Sequence, residues 1–211
     1  MRLFRPWPVM ERLYPEAIFR IKTNEKHLLL SFDDGPDPAS TYEILEILSR
    51  HQVNAFFFCT GIKAETYPGL IEKIKSSGHI IGNHSYSHLS GWRTTKSNYI
   101  ADIQKADGLT SSNLFRPPYG RLTPGQYKSL KETYKIILWD LMPYDFDATF
   151  GCGNALRVLK EKIRPGSIIA LHDSPLSGPA GLLEEFLEYA RGEGYEFRSG
   201  ISAFQPAEFS E

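Results

Sequence analysis

Four short segments of the sequence carry side chains that could bind a metal ion and move protons. They are residues 33–36 (Asp-Asp-Gly-Pro), 83–88 (Asn-His-Ser-Tyr-Ser-His), 116–120 (Arg-Pro-Pro-Tyr-Gly) and 171–173 (Leu-His-Asp). Two imidazoles in a His-x-x-x-His spacing can reach one ion, and a carboxylate from another strand completes a three-ligand set with positions open for water and substrate. We therefore predict that Asp34, His84 and His88 bind a divalent metal, with zinc favoured and cobalt or nickel also compatible.

Each of these segments has a purely structural explanation when it is taken singly. Asp and Gly-Pro are turn residues, an isolated pair of histidines is usually ordinary core or surface, and His172-Asp173 could simply end a strand. All four segments, however, follow stretches that read as buried strands. Because parallel strands of an α/β barrel end at one rim, where such folds place their active sites, the combination favours one site with a metal, a carboxylate base and a histidine acid.

Length and composition fit one globular domain. The chain has 211 residues, of which 41% are hydrophobic and 23% charged, with a net charge of -1 and a pI near 6.6. This near-neutral balance gives no electrostatic signal for nucleic acid or for an anionic membrane, so we expect a neutral substrate. The two cysteines, Cys59 and Cys152, are predicted to be free thiols without a catalytic role.

The first residues, Met-Arg-Leu-Phe-Arg-Pro-Trp-Pro, lack the uninterrupted apolar stretch and the cleavage site of a secretory signal. No stretch approaches the length that is needed to span a bilayer. We therefore expect a cytoplasmic protein, with unconventional export left open, and a soluble substrate rather than an intact cell wall. The oligomeric state is left open.

The elements that must position these residues alternate between strands and helices. Apolar runs predict strands at 27–32, 55–59, 79–83, 114–116, 135–140, 167–171 and 195–198, and apolar stripes predict helices at 40–51, 67–77 and 182–191. Asp37 before Pro38 is predicted to be a helix N-cap. This alternation predicts a single-domain α/β protein, a distorted (β/α)7 barrel over residues 27–211, on which an extension formed by residues 1–26 packs.

The same motifs resemble, in the same order, those of the polysaccharide deacetylase family, which includes nodulation-factor and chitin deacetylases (carbohydrate esterase family four). The resemblance covers about residues 27–197. It implies a distorted barrel of seven strands and the metal ligands Asp34, His84 and His88. It also implies that the protein removes acetyl groups from N-acetylated sugars.

The resemblance further implies roles for neighbouring residues. Asp33 would be the catalytic base, held by Arg116, and the backbone N–H of Tyr119 would help to bind the oxyanion. His172 would protonate the leaving amine, and Leu171 would line the acetyl pocket.

His172 needs a partner that keeps its ring charged and oriented. The family position of that partner falls on Asp145. Asp173 is the alternative, although adjacent residues on a strand point to opposite faces.

One family motif departs from the usual pattern. Met142 stands where the family has an aspartate, and Phe146 stands where it has a tryptophan in the acetyl pocket. We expect both changes to affect the range of substrates or the rate more than the type of reaction. Trp92, in the polar segment after His88, is a candidate for stacking on a sugar ring, whereas Trp139 is expected in the core.

Three alternatives remain open at this stage. An O-acetyl esterase acting on xylan-type sugars is the closest, since esters and amides pass through the same oxyanion. Two histidines and a carboxylate also suit a non-haem iron oxygenase, but that chemistry needs neither Asp33 nor a proton-relay histidine. A non-catalytic carbohydrate-binding protein would not require the base, the ligands and the acid together.

Overall fold

Strands and helices alternate along the chain from residue 27 onward. The computed structural model describes residues 2–175 and 179–199. Within this part the strands are β1 (His27–Asp33), β2 (Phe56–Cys59), β3 (Ile80–Asn83), β4 (Leu114–Phe115), β5 (Lys135–Ile136), β6 (Ile168–His172) and β7 (Glu196–Phe197). The helices are α1 (Pro8–Leu13), α2 (Thr41–Arg50), α3 (Gly61–Thr66), α4 (Pro68–Ser76), α5 (Lys96–Thr110), α6 (Pro124–Leu130), α7 (Cys152–Lys162) and α8 (Pro179–Gly192).

The strands form one curved parallel sheet. Its order is β5-β4-β3-β2-β1-β6, and β7 pairs with the first residues of β1. In this register Asp33 lies opposite His172 on β6 and opposite Phe58 on β2. The carboxyl ends of the strands therefore meet at one rim. The predicted fold class, a distorted (β/α)7 barrel in a single small domain, is confirmed.

Strands β1, β2, β3 and β6 are buried on both faces. The strand side chains belong to three clusters, one of which contains Phe115 of β4 and Ile136 of β5. Leu29, Phe56, Phe58, Leu114, Ile137 and Ile168 form a cluster of sheet residues on one face. The opposite face, with Leu30, Phe32 and Phe57, packs against helices α2, α4, α7 and α8. Because side chains alternate along a strand, Asp33 follows Leu29 and Ser31 onto the face that carries no covering helix.

The predicted strand at 135–140 is wrong beyond residue 136. Instead, Ile18 inserts beside β5: its N–H donates to the carbonyl of Ile136, and its carbonyl accepts from Leu138. The same N-terminal segment then reaches the turn before β6, where the N–H of Ile21 donates to the carbonyl of Gly166. Leu141 pairs with Ile169 further along β6. The wall between β5 and β6 is therefore built from two separate stretches of chain.

The start of α2 also differs from its prediction. The helix begins at Thr41, and Asp37 lies in the preceding turn, where its carboxylate accepts from the N–H of Ala39. Asp37 also contacts Lys63 at 3.2 Å, so its role remains structural. Across the described residues, no helix has both the length and the apolar character that crossing a bilayer demands.

Candidate active site

A cavity of about 470 Å³ opens at the carboxyl ends of the strands. It is lined by Asp33, Asp34, His84, His88, Tyr119, Arg121, Trp139, Met142, Tyr144, Phe146, His172 and Ser174. The four segments selected from the sequence therefore meet in one place. Trp139, expected in the core, forms part of this wall instead.

Three of these side chains can hold a metal ion. One ligand atom each from Asp34, His84 and His88 lies within 4.8 Å of the others. The Oδ1 atom of Asp34 is 3.4 Å from Nε2 of His84 and 3.0 Å from Nε2 of His88. This set of one carboxylate and two imidazoles matches the donors that zinc and its neighbours prefer.

The protonation of His84 supports a cation at this position. Its Nδ1 lies 2.7 Å from the carbonyl oxygen of Arg116, which can only accept, so Nδ1 carries the hydrogen. The Nε2 atom therefore presents a lone pair toward Asp34. Oδ1 of Asp34 is buried, and no donor among the described residues reaches it with hydrogen-bond geometry. Lone pairs that converge in this way, one of them on a buried oxygen, fit a bound cation.

Electrostatics also keep the carboxylate ionised. Burial alone would raise the pKa of Asp34, but the facing His84 and His88 outweigh it and hold that pKa well below its usual range. The Asp34 carboxylate is thus in the deprotonated form that metal binding requires.

The histidine loop is held by residues that the sequence reasoning did not select. Asn83 Oδ1 accepts from the N–H of Ser85, and its amide donates to Asp107. Asp102 on α5 accepts from the N–H groups of Tyr86 and Ser87 at 3.1 and 3.0 Å. These contacts fix the turn between the two histidines.

Asp33 is held by a fully buried arginine. Arg116 Nη1 donates to Asp33 Oδ1 at 2.6 Å and to Ser31 Oγ at 2.7 Å. The other guanidinium nitrogens donate to the carbonyls of Ile137 and Leu138. Burial lowers the pKa of Arg116, and the Asp33 carboxylate opposes that change. Asp33 therefore presents a fixed carboxylate to the cavity.

His172 is held by Asp145. The two carboxylate oxygens of Asp145 contact the Nδ1 atom of His172 at 2.9 Å and its backbone N–H at 2.8 Å. Burial lowers the pKa of His172, but Asp145 together with Asp33 and Asp34 raises it to about 9. The ring is thus an imidazolium near neutral pH, with Nε2 as its second donor.

Asp173 does not take that role. Its carboxylate accepts from the hydroxyls of Ser40 and Thr41, both at 2.6 Å, at the start of α2. Burial raises the pKa of Asp173 and the two hydrogen bonds lower it; burial has the larger effect, and the pKa is about 6. Asp173 therefore anchors the loop that follows β1, on the side away from the cavity.

The predicted substrate contacts divide into two groups. Tyr119 and Phe146 line the cavity, with ring centroids 4.6 Å from that of His88 and 4.4 Å from that of His172, respectively. Leu171 does not line it: the residue is 2% exposed and packs against the helices, because it alternates with His172 along β6.

Trp92 also lies outside the catalytic cavity. Its indole N–H donates to the carbonyl of Leu122, and the Arg121 guanidinium lies 5.0 Å from the ring centroid. Its ring, 60% exposed, borders a neighbouring cavity instead.

Comparison with known proteins identifies the family of this chain. The family model described as polysaccharide deacetylase matches residues 20–134. A peptidoglycan-N-acetylglucosamine deacetylase of Bacillus cereus is 31% identical over 192 residues, which cover 86% of this chain and 70% of that protein. A chitooligosaccharide deacetylase of Azorhizobium caulinodans is 34% identical over 165 residues, with 73% and 77% covered.

Among solved structures, the Bc1960 peptidoglycan N-acetylglucosamine deacetylase, in complex with 4-naphthalen-1-yl-N-oxidanyl-benzamide, superposes with a TM-score of 0.86 at 29% identity. The match covers 96% of this chain and 98% of that one. The fold and the matched relatives define a class of carbohydrate-modifying hydrolases. This chain belongs to the polysaccharide deacetylase family, and the predictions of that family and of an enzyme are confirmed.

Proposed function

We propose that this protein is a metal-dependent hydrolase that removes the acetyl group from N-acetylated sugars. The single observation that supports this most strongly is the meeting of three metal-ligand side chains, a carboxylate held by Arg116 and a histidine held by Asp145 in one cavity. The names of the relatives support N-acetylglucosamine-containing oligosaccharides, polysaccharides or glycoconjugates as the substrate class.

Asp34, His84 and His88 would hold the ion, with zinc as first choice and cobalt or nickel as alternatives. When bound, such an ion polarises a carbonyl group and lowers the pKa of water to roughly 7. The remaining steps fall to side chains and backbone groups of this chain.

Asp33 accepts the proton of the attacking water. Its carboxylate lines the cavity beside Asp34, and Arg116 fixes one oxygen while the other is available. The positive guanidinium keeps the carboxylate oriented without competing for the proton.

The oxyanion and the leaving amine have different donors. The backbone N–H of Tyr119, in a left-handed turn with φ of 59°, is the candidate donor to the oxyanion. The Nε2 of His172 gives its proton to the departing amine, which is too basic to leave unprotonated. Asp145 holds the ring in the tautomer and orientation that this transfer needs.

Acetate release tests the proposal. Purified protein loaded with zinc is assayed on N-acetylglucosamine oligomers and on acetylated xylo-oligomers. We expect higher kcat/KM on the former, and a fall of roughly 10²-fold or more for Asp33→Asn or His172→Gln, the usual scale of a general acid or base. Preference for the xylo-oligomers would assign an O-acetyl esterase. No acetate from either substrate, with metal bound, would indicate a non-catalytic carbohydrate-binding protein.

The same two variants also separate catalysis from folding. His172→Gln keeps the size of the side chain close to the original, so its melting temperature should stay within a few degrees. Asp33→Asn leaves the fully buried Arg116 without its counter-charge and should lower the melting temperature, so its turnover is measured at a temperature where circular dichroism shows that the variant is folded. Near-wild-type turnover in both would overturn the assigned roles.

A further inference from the structure

A second cavity, of about 460 Å³, adjoins the catalytic one. Its outer wall is the N-terminal segment, with Trp7, Val9 and Met10, and its floor includes Phe19 and Leu138. It shares Tyr119, Arg121, Trp139, Met142 and Tyr144 with the catalytic cavity. A group bound here is therefore next to a sugar whose acetyl group faces the metal ligands.

Three polar groups around this second cavity are already paired. Arg5 donates to Asp140 at 3.2 Å, the Tyr144 hydroxyl accepts from the N–H of Leu3 at 3.1 Å, and the Trp92 indole donates to Leu122 at 2.9 Å. Recognition of a sugar ring needs convergent donors and acceptors in addition to an aromatic face. The Arg121 guanidinium lies in the wall shared with the catalytic cavity, 5.0 Å from the Trp92 ring centroid and 5.6 Å from that of Tyr119. Outside that shared wall the lining is mostly apolar, so it suits a hydrocarbon group better than another sugar; its apolar residues are Leu3, Pro6, Trp7, Val9, Met10, Phe19 and Leu138.

Met142 contributes an apolar side chain to the junction between the two cavities. It lies in the shared wall, at the position where the sequence resemblance expects an aspartate. A hydrocarbon chain lying against a carboxylate at this position would remove water from the charge, which is costly. The flexible thioether of methionine can instead pack against such a chain.

We propose that this second cavity binds an alkyl chain that is attached to the N-acetylated sugar, so that the substrate is an amphiphilic glycoconjugate. This inference rests on the proposed function and specifies its substrate class. The sugar lies over the catalytic cavity, the chain crosses Met142, and Trp7 and Val9, 63% and 49% exposed, cover its outer side.

Two glycosides that differ only in their alkyl group test this inference. Zinc-loaded protein is assayed for acetate release from methyl and octyl β-N-acetylglucosaminide below micellar concentration, and their Kd values are measured by tryptophan fluorescence. Each methylene buried contributes to affinity, so we expect kcat/KM for the octyl glycoside to be roughly 100-fold higher, with Kd lowered in parallel.

Two substitutions on α1 provide a matched pair. Val9→Glu places a charge in the cavity wall and should lower the octyl-to-methyl ratio of kcat/KM roughly 10-fold or more. Leu13→Glu changes an equally exposed residue of the same helix that does not line the cavity, and should leave the ratio unchanged.

Three results would overturn the inference: equal kcat/KM and Kd for the two glycosides, equal effects of Val9→Glu and Leu13→Glu, or a preference that increases with added sugar units and not with the alkyl chain. Failure of the proposed function is distinguishable. If no glycoside or N-acetylglucosamine oligomer releases acetate, the fluorescence titration of the octyl glycoside still decides whether the cavity binds the chain.

Discussion

At the scale of single residues, the metal-ligand set is defined by where its lone pairs point. The carbonyl of Arg116 assigns the hydrogen of His84 to Nδ1, and so turns Nε2 toward Asp34. The same Arg116 holds the Asp33 carboxylate through its side chain. Arg116 therefore orients both a candidate metal ligand, His84, and the candidate base, Asp33.

We expect a double variant, His84→Ala/His88→Ala, to lose the metal. Asp34 alone cannot hold a transition metal tightly, so metal content after dialysis should fall from about one ion per chain to a small fraction. Elemental analysis of the purified proteins measures this. His79→Ala is the control, since that buried histidine lies at the start of the β3 region, away from the cavity. Equal metal content in the double variant and the wild type would refute the site.

The pH dependence of activity should report the His172–Asp145 pair. The imidazolium is the acid, so kcat/KM should fall as pH rises through about 9, the raised pKa of His172. Asp145→Asn removes the main cause that raises this pKa, while burial still lowers it, so the alkaline limb should move to lower pH by roughly one unit or more. A pH–rate profile measures both. An unchanged limb in Asp145→Asn would exclude His172 as the group that titrates.

At the scale of elements, the rim loops share an unusual backbone conformation. Positive φ occurs at Asp34, Ser85, His88, Tyr119 and Tyr144, all in loops around the cavity. Non-glycine residues pay for this conformation, and such strain concentrates where side chains must be aimed. The strands supply rigid ends, and these turns direct the functional groups inward from them.

The loop after β1 depends on a close approach between Gly35 and Asp173. A Cβ atom added at Gly35 would lie 2.2 Å from Oδ2 of Asp173. Gly35→Ala must therefore displace the loop that carries Asp34, and we expect zinc affinity to fall roughly 10-fold to 100-fold. Gly69→Ala in α4 is the matched control, since nothing lies within 4 Å of the added atom. Competition with a chelator measures the affinities; equal values would show that this approach does not position the ligand.

Strands were predictable where apolar runs are buried on both faces, as in β1, β2, β3 and β6. The error at 137–140 arose because a strand edge can be occupied by any extended segment, and here Ile18 occupies it. Helix α5 was missed although its buried positions, Tyr99, Ile103, Ala106 and Thr110, follow helical spacing. Alanine and threonine give too weak an apolar signal in such a polar segment.

The sequence predicted the side chains that would react or bind the metal better than it predicted the residues that hold them in place. The order of the motifs predicted one site with five residues that do line one cavity: Asp33, Asp34, His84, His88 and His172. Asn83 and Asp102 act through backbone groups of a turn that exists only in the folded chain, so no local pattern selects them. Leu171 was misplaced because the resemblance gave a position along the chain, whereas strand alternation decides the face.

At the scale of the whole molecule, one buried carboxylate joins distant parts of the chain. Asp140, 3% exposed, accepts from Arg5 in the N-terminal segment, from Arg164 before β6 and from Ser167 Oγ at 2.6 Å. These contacts fasten the N-terminal segment to the wall of the barrel. The segment in turn forms the outer side of the second cavity.

Asp140→Asn should therefore destabilise the protein. The two guanidinium groups lose their shared counter-charge, and because both are partly exposed we expect a loss of about 2 kcal/mol in the free energy of unfolding. Urea denaturation measures it. Glu132→Gln, which removes an exposed partner of Lys131, is the control and should change stability by less than about 0.5 kcal/mol. Equal effects of the two substitutions would show that the cluster does not fasten the segment.

The insertion of Ile18 beside β5 also has a consequence for how the chain is made. Residues 18–21 leave the ribosome before every strand of the sheet, yet their hydrogen-bond partners, Ile136 and Gly166, are among the late residues to emerge. The seam of the barrel thus joins segments that are made at different times and closes only after residue 166 has emerged. Such closure is slow because it waits for contacts distant in sequence.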